Sequence, residues 1–327
     1  MPRPLSQRND LSKGWHTLYG LWSWNLDEKL KYSHRIIQEA LDGHKTPVLC
    51  WSGGKDSTAL LHLVLQYRPQ IPVIFIDVGV DFPETYSFID LLANSWNLNL
   101  IIARPKNGNS FWEVGKQYGW PIFGKFITSN VERAVRSGNI RSQLSPLEKT
   151  LANCKAHISC RCGAIIRENP GKELEKSLSA DLKFIGLRAS ESRSRVALWV
   201  DHGNIYPVKR YYGRGKEIWK ANPISIWTED DIWKYHEINS IPHCSLYDLG
   251  YPRNGCWTCA MGFKFGQLKR LRQGHPDLFL SLITESEMGK ELLRIKKVLL
   301  EEKGLQAPKG INPKIVLTEQ LDFFDGL

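Results

Sequence analysis

Between the apolar run Pro47–Trp51 and an apolar helical face over residues 58–66 lies Ser52-Gly53-Gly54-Lys55-Asp56-Ser57. This hexapeptide constrains the fold more than any other feature. A short hydrophobic run ending in two glycines and followed by helical periodicity reads as strand, loop and helix. Two glycines let backbone N–H groups approach an anion closely, the start of a helix adds partial positive charge, and Lys55 adds a full one. The loop is not a Walker A sequence. That pattern needs glycine where Leu49 stands and Ser or Thr where Asp56 stands. A tight glycine turn with a polar cap would account for the glycines, but not for Lys, Asp and Ser directly after them.

The alternation continues. Residues 71–77 and 98–103 read as buried strands and 86–96 as a helix, with a further strand over 182–186, ending at Gly186-Leu-Arg188. Strands alternating with helices imply right-handed crossovers and an α/β fold, a doubly wound, mostly parallel sheet covered on both faces. Apolar residues from Trp15 to Leu41 recur at helical intervals, predicting one or two N-terminal helices. Residues 107–180 show weak periodicity and are expected to hold long functional loops. Short strands are expected near Ile205 and Ile218, a helix over 228–237 behind a Thr-Glu-Asp-Asp cap, and an amphipathic helix over 276–303. The expected division is 1–45, an N-terminal helical segment; 46–220, a nucleotide-binding α/β domain; and 221–327, a cysteine-containing, helical C-terminal module.

No apolar stretch approaches the ~20 residues that cross a bilayer, and the N-terminal residues lack a signal-peptide core. The expectation is a cytoplasmic protein with no membrane partner. Net charge is +10, and residues 125–220 hold 19 Lys and Arg against 9 Asp and Glu. That belt suits a polyanion or a phosphorylated small molecule, and equally a solvated face. Six of the seven cysteines fall between Cys154 and Cys259, which in a reducing compartment suggests metal binding or redox chemistry rather than disulfides. Cys244, Cys256 and Cys259 follow C-x11-C-x2-C spacing, and four thiolates suit a [4Fe–4S] cluster or zinc. Cys50, on a core strand, reads as a buried thiol, and Cys154 and Cys160 are unassigned. Trp51, Trp227 and Trp233 read as packing.

Several of these motifs together resemble the phosphoadenylylsulfate (PAPS) reductase branch of the PP-loop, or N-type, ATP pyrophosphatases. Ser52–Ser57 matches the signature Ser-Gly-Gly-x-Asp-Ser. Asp77-Val-Gly-Val-Asp-Phe-Pro-Glu-Thr85 is similar to that branch's Asp-Thr-Gly-x-x-Phe-Pro-Glu-Thr, with Val78 departing. Gly186-Leu-Arg188-Ala-Ser-Glu191-Ser192, the 222–233 segment and Leu246-Tyr-Asp-x-Gly250 extend the likeness over roughly Val48 to Met261. The resemblance implies an adenine nucleotide α-hydrolase-like fold. It also implies roles: Ser52, Gly53, Gly54, Lys55, Asp56 and Ser57 cradle nucleotide phosphates with Mg²⁺; Asp77 contacts ribose or metal; Arg188, Arg193 and Arg195 hold an anionic acceptor. Lys55, Asp56 and Arg188 are the expected catalytic residues. Cys162, which begins a Cys-x7-Pro170 segment, would join Cys244, Cys256 and Cys259 around a [4Fe–4S] cluster, with zinc on Cys160, Cys162, Cys256 and Cys259 as the alternative.

Assimilatory sulfonucleotide reductases of this family carry a catalytic cysteine in a C-terminal Glu-Cys-Gly-Leu-His motif, and this chain has no cysteine after Cys259. That difference directs the expectation to DndC- and SspD-type DNA phosphorothioation proteins. Such an enzyme would use ATP to adenylate a DNA backbone phosphate, with a cysteine desulfurase as sulfur donor and other phosphorothioation proteins as partners. The alternatives are a PAPS or adenylylsulfate reductase gripping its substrate with the same loop, an RNA-thiolating enzyme, and a non-catalytic DNA-binding regulator.

Overall fold

The structure is a computed structural model that describes residues 11–106, 108–138, 144–209, 217–259 and 266–302. Expectations touching the first ten residues or those beyond 302 lie outside the described residues. In chain order the elements are α1 (Leu11–Trp22), α2 (Leu26–Asp42), β1 (Pro47–Cys50), α3 (Lys55–Leu65), β2 (Val73–Ile76), α4 (Pro83–Ser95) and β3 (Leu100–Ala103). There follow α5 (Phe111–Tyr118), α6 (Lys125–Ser137), α7 (Pro146–Asn153), a π-helical turn (Gly163–Glu168), α8 (Asn169–Ser177), β4 (Leu182–Ile185) and α9 (Arg193–His202). The rest are β5 (Ile205–Lys209), β6 (Glu217–Ala221), α10 (Glu229–Ile238), α11 (Gln267–Gly274), α12 (Pro276–Leu280), a second π-helical turn (Ser281–Glu285) and α13 (Glu287–Glu302).

The chain forms two compact units, and each draws on separated stretches of sequence. The first comprises residues 1–76, 83–103 and 171–247; the second comprises 77–82, 104–170 and 248–327. The expected segments 46–220 and 221–327 are thus each shared between both units.

In the first unit six strands form one sheet in the order β3-β2-β1-β4-β6-β5. All neighbours are parallel except β5 and β6, whose antiparallel ladder runs from Ile205 opposite Ala221 to Lys209 opposite Glu217. The fold is the expected α/β arrangement, a mostly parallel six-stranded sheet with flanking helices. Strands buried on both faces carry continuous apolar sequence rather than alternation. Val48, Ile74, Ala180 and Ile218 form one such core cluster, packed by Ile76, Leu174, Leu178 and Val208. Successive strands step from β1 toward β3 on one side and from β4 toward β6 on the other. The order therefore reverses between β1 and β4, and ligands of open α/β sheets bind beyond the carboxyl ends of strands at such a reversal.

The N-terminal segment belongs to this unit because α2 is fastened to the stretch before α10. A capping box joins Asn25 and Glu28 at its start. Inside, Ser33 Oγ donates to the Pro223 carbonyl at 2.8 Å and accepts from Trp227 Nε1 at 2.9 Å. Lys29 Nζ meets Asp231 Oδ2 at 2.7 Å with both side chains largely buried.

In the second unit the stretch expected as long loops is mostly helix. Ser110 with Glu113, and Ser145 with Glu148, form capping boxes that start α5 and α7. The expected single helix over 276–303 is broken at Ser286, which is extended (φ −87°, ψ 150°). Its Oγ accepts from the Gly289 N–H at 2.9 Å and so restarts the helix. Among the described residues no helix is long and apolar enough to cross a membrane.

Candidate functional site

At the carboxyl end of β1 the chain turns through Ser52–Gly54 into α3. Gly53 has φ 71°, a left-handed value that glycine adopts without penalty. The turn is knit by its two serines. Ser57 Oγ donates to the Gly54 carbonyl at 2.9 Å and lies 3.1 Å from Ser52 Oγ. Trp51, buried behind the loop, donates from Nε1 to Thr58 Oγ1 at 3.0 Å. Gly54 caps α3 with no side chain, so no capping side chain competes for the amides of the first turn, as an anion site requires.

β4 ends beside this loop, and Gly186 makes the approach possible. A Cβ there would stand 2.9 Å from Ser57 Cα and 3.0 Å from Ser57 N. Two residues on, Arg188 points back to the loop. Its Nε donates to Asp56 Oδ1 at 2.6 Å and its Nη1 to Ser190 Oγ at 2.9 Å. Ser190 is in turn held by the Trp227 carbonyl at 3.0 Å, and the Ala189 N–H by the Ser225 carbonyl at 2.7 Å. The structure thus brings together Ser52, Gly53, Gly54, Lys55, Asp56, Ser57 and Arg188.

Lys55 is almost fully enclosed. Its amine lies 3.3 Å from Glu229 and 3.8 Å from Asp56, over the faces of Tyr247 (5.3 Å) and Trp233 (6.0 Å). These two rings meet edge to face. The ring quadrupoles favour the cation while the rings shield it from water. Its backbone is fixed too: the Lys55 N–H donates to the Tyr247 hydroxyl at 2.9 Å, and His236 Nε2 lies 2.9 Å from the Lys55 carbonyl. Burial holds the His236 imidazole below its ordinary pKa and so favours the neutral ring.

Sequence reasoning missed Glu229 and His236 in this role and read Trp233 as packing. Trp51 and Trp227 are indeed core residues, but Trp233 is half-buried against Lys55. Tyr247 lies in the quoted Leu246-Tyr-Asp motif, and Glu229 and Trp233 flank the Thr228 cap, so the signals were present without an indication of what they face.

Arg193 is exposed at the start of α9. Arg195 pairs with Glu191, whose carboxylate also lies 4.0 Å from Arg188. Asp77 belongs to the second unit, where it accepts from the Gly79 N–H at 3.0 Å and from Arg104 Nε at 2.9 Å.

No cysteine is in a disulfide. Cys244 lies in the first unit, fully buried, and its carbonyl accepts from the Tyr247 N–H at 3.1 Å. It thereby anchors the turn that delivers Tyr247 to Lys55. In the second unit Cys256 pairs with Asp81 in an antiparallel bridge, and the Cys259 N–H donates to the Cys256 carbonyl at 3.1 Å. Arg167 donates to Cys256 Sγ at 3.5 Å and lies 3.7 Å from Asp81. Burial, reinforced by Cys259, pushes the Cys162 thiol up to about 11, and burial also raises Cys256. Cys160 Sγ lies 3.7 Å from Ser129 Oγ. Among the described residues no three or more His, Cys, Asp or Glu side chains are gathered as a metal-ligand set. The Cys162, Cys256 and Cys259 thiols of this unit lie within electrostatic reach of one another, and no step below passes through a metal centre.

Residues 46–261 match the family model of the phosphoadenosine phosphosulfate reductase domain. The chain belongs to the phosphoadenosine phosphosulfate reductase family. It is 32% identical over 210 residues to a phosphoadenosine 5'-phosphosulfate reductase of Buchnera aphidicola, covering 64% of this chain and 68% of that one. To the protein of the same name from Xanthomonas axonopodis pv. citri it is 28% identical over 224 residues, covering 68% and 75%. Among solved structures, the phosphoadenylyl-sulfate reductase of Candida auris aligns with TM-score 0.46 and 20% identity, covering 71% of this chain and 94% of that one. These relationships correct the expected DNA phosphorothioation activity, since the relatives of this phosphoadenosine phosphosulfate reductase family member are named as reductases. The physical reason for the error is that a phosphate loop and a basic belt report anionic oxygens, not the molecule that carries them.

Proposed function

We propose that this enzyme binds 3'-phosphoadenylyl sulfate at the Ser52–Ser57 loop and promotes its thiol-dependent reduction to sulfite. The observation that carries the reading is the pairing of two enclosed cations, Lys55 and Arg188, at the reversal point between β1 and β4. The family match, which spans both residues, supports it.

In the reaction a thiolate attacks the sulfur of the sulfate group and the bond from that sulfur to the bridging oxygen breaks. Adenosine 3',5'-bisphosphate leaves with that oxygen on its 5'-phosphate. A second thiol then attacks the thiol-derived sulfur of the S-sulfonate, forming a disulfide as the bond to the sulfonate sulfur breaks and sulfite leaves. Two thiols are oxidised and the sulfur is reduced by two electrons. Lys55 and Arg188 receive the charge that grows on the departing phosphate. In an enclosed site, preplaced cations stabilise such charge without reorganising. Asp56 holds Arg188 in place through its 2.6 Å contact. The thiols come from a protein dithiol of the thioredoxin class. The two cysteines of the unit that carries the loop are poor nucleophiles, because burial pushes the Cys50 thiol up to about 11 and Cys244 is fully buried.

Calorimetric titration with adenosine 3',5'-bisphosphate tests the loop assignment. One site is expected, with affinity reduced by about tenfold or more in Lys55→Ala, the effect of a lost charge-assisted contact. Equal binding by wild type and variant would remove Lys55 from this role.

A further inference from the structure

Glu229 lies outside the glycine loop, yet it contacts both cations of the site. One carboxylate oxygen is 3.3 Å from Lys55 Nζ and the other 3.8 Å from the Arg188 guanidinium. The exposures differ sharply. The Lys55 and Arg188 side chains are 4% and 5% exposed, whereas that of Glu229 is 56% exposed. Asp56, at 19%, is the inner partner and takes Arg188 Nε, and Ser190 takes Nη1. Nη2 lies between Glu229 and Glu191, 3.8 and 4.0 Å away, while Glu229 is the nearer carboxylate to the lysine amine.

The position of Glu229 is set by the start of α10 rather than by its own ion pairs. It is the first helical residue. The preceding residue, Thr228, forms a capping box with Asp231, and Asp231 is fixed by Lys29 at 2.7 Å. The backbone thus holds Glu229 at the mouth of the site, while its exposed side chain can leave the cations for water at little desolvation cost. A carboxylate bridging two cations beside an anion-binding loop occupies the place that an oxygen of a bound anion would take.

We propose that Glu229 is an internal competitor for the ligand, neutralising Lys55 and Arg188 until a more highly charged oxyanion displaces it. The inference rests on the reading that the loop binds a nucleotide anion. It adds a selection rule: ligand charge, more than the base, decides whether the site is entered. Each ligand oxyanion must exceed what one carboxylate already supplies, so a bisphosphate is favoured over a monophosphate and an uncharged nucleoside gains nothing from the cations.

Titration calorimetry with adenosine 3',5'-bisphosphate, AMP and adenosine against wild type, Glu229→Gln and Glu229→Asp tests the proposal. In Glu229→Gln the bisphosphate should bind about tenfold tighter, as expected from removing one competing, solvent-screened charge. AMP should gain as well, and adenosine should not. Glu229→Asp keeps the charge but draws it back by one methylene, and should fall between wild type and the glutamine variant. Bisphosphate binding that is unchanged or weaker in Glu229→Gln, with wild type binding normally, would overturn the proposal. So would a gain that extends to adenosine, since that marks a loosened site rather than a lost competitor. Absence of bisphosphate binding to wild type and variants alike overturns the loop assignment itself, and is thereby distinct from failure of the competitor role alone. A bisphosphate bound by Glu229→Gln and not by wild type supports the competitor strongly.

Discussion

Replacing Arg188 with glutamine should destabilise the first unit mainly through what it leaves behind. The guanidinium is 5% exposed and donates to Asp56, 19% exposed, at 2.6 Å. Removing one partner of this enclosed ion pair leaves Asp56 with only Lys55, at 3.8 Å, as a counter-charge, at a cost of about 3 kcal/mol. Asp56→Asn should cost less, about 2 kcal/mol, because Arg188 keeps Ser190 and Glu229. If the two residues act as one unit, the double variant should lose only about 3 kcal/mol, a coupling of about 2 kcal/mol. Hydrogen exchange over residues 55–65 reads this locally, since α3 begins beside the pair. Additive losses in the four-protein cycle would refute the reasoning, because they would mean that the 2.6 Å contact carries no interaction energy beyond its parts.

Three further expectations follow from the same geometry. Gly186→Ala places a methyl group 2.9 Å from the Ser57 backbone, and overpacking against backbone should cost about 1–3 kcal/mol together with bisphosphate affinity; a thermal midpoint and an affinity at wild-type values would contradict it. For Asp231, burial raises the carboxyl pKa, but Lys29 and the Thr228 backbone and hydroxyl outweigh it and hold the group below its ordinary value. Its contribution to stability is therefore full above the ordinary carboxylate range and lost as pH falls through the depressed value. Asp231→Asn should flatten the acid limb of the stability profile, and an unchanged limb would sink the assignment. Burial of Cys50, which raises its thiol to about 11, should protect it from iodoacetamide at pH 8 until the protein unfolds, as read by peptide mass spectrometry; rapid labelling in the native state would contradict this.

The strand–loop–helix at Ser52–Ser57 was legible because glycines, a lysine and a change of hydrophobic period fall within a dozen or so residues. The mostly parallel character of the sheet followed from crossover rules, whereas the pairing of β1 with β4 was not specified by them. Helices α5–α7 were hidden for a different reason. α6 buries Thr128, Val131 and Ala134, small or polar residues that blur the apolar stripe, and the informative marks were the caps Ser110–Glu113 and Ser145–Glu148. Lys55 was read as a loop cation, and its burial by Trp233, Tyr247 and Glu229 could not be read locally because those residues come from the far side of the sheet in sequence. The acceptor was the hardest inference. Charge and phosphate loops describe oxygens, and only the family relationship favours a sulfonucleotide over a nucleic acid backbone.

The most direct test incubates the enzyme with 3'-phosphoadenylyl sulfate and a reduced thioredoxin-class dithiol protein, and in parallel with ATP. Sulfite and adenosine 3',5'-bisphosphate should appear in equal amounts, one disulfide forming per turnover, with no pyrophosphate released from ATP. Pyrophosphate release from ATP without any sulfite from the sulfonucleotide would contradict the account.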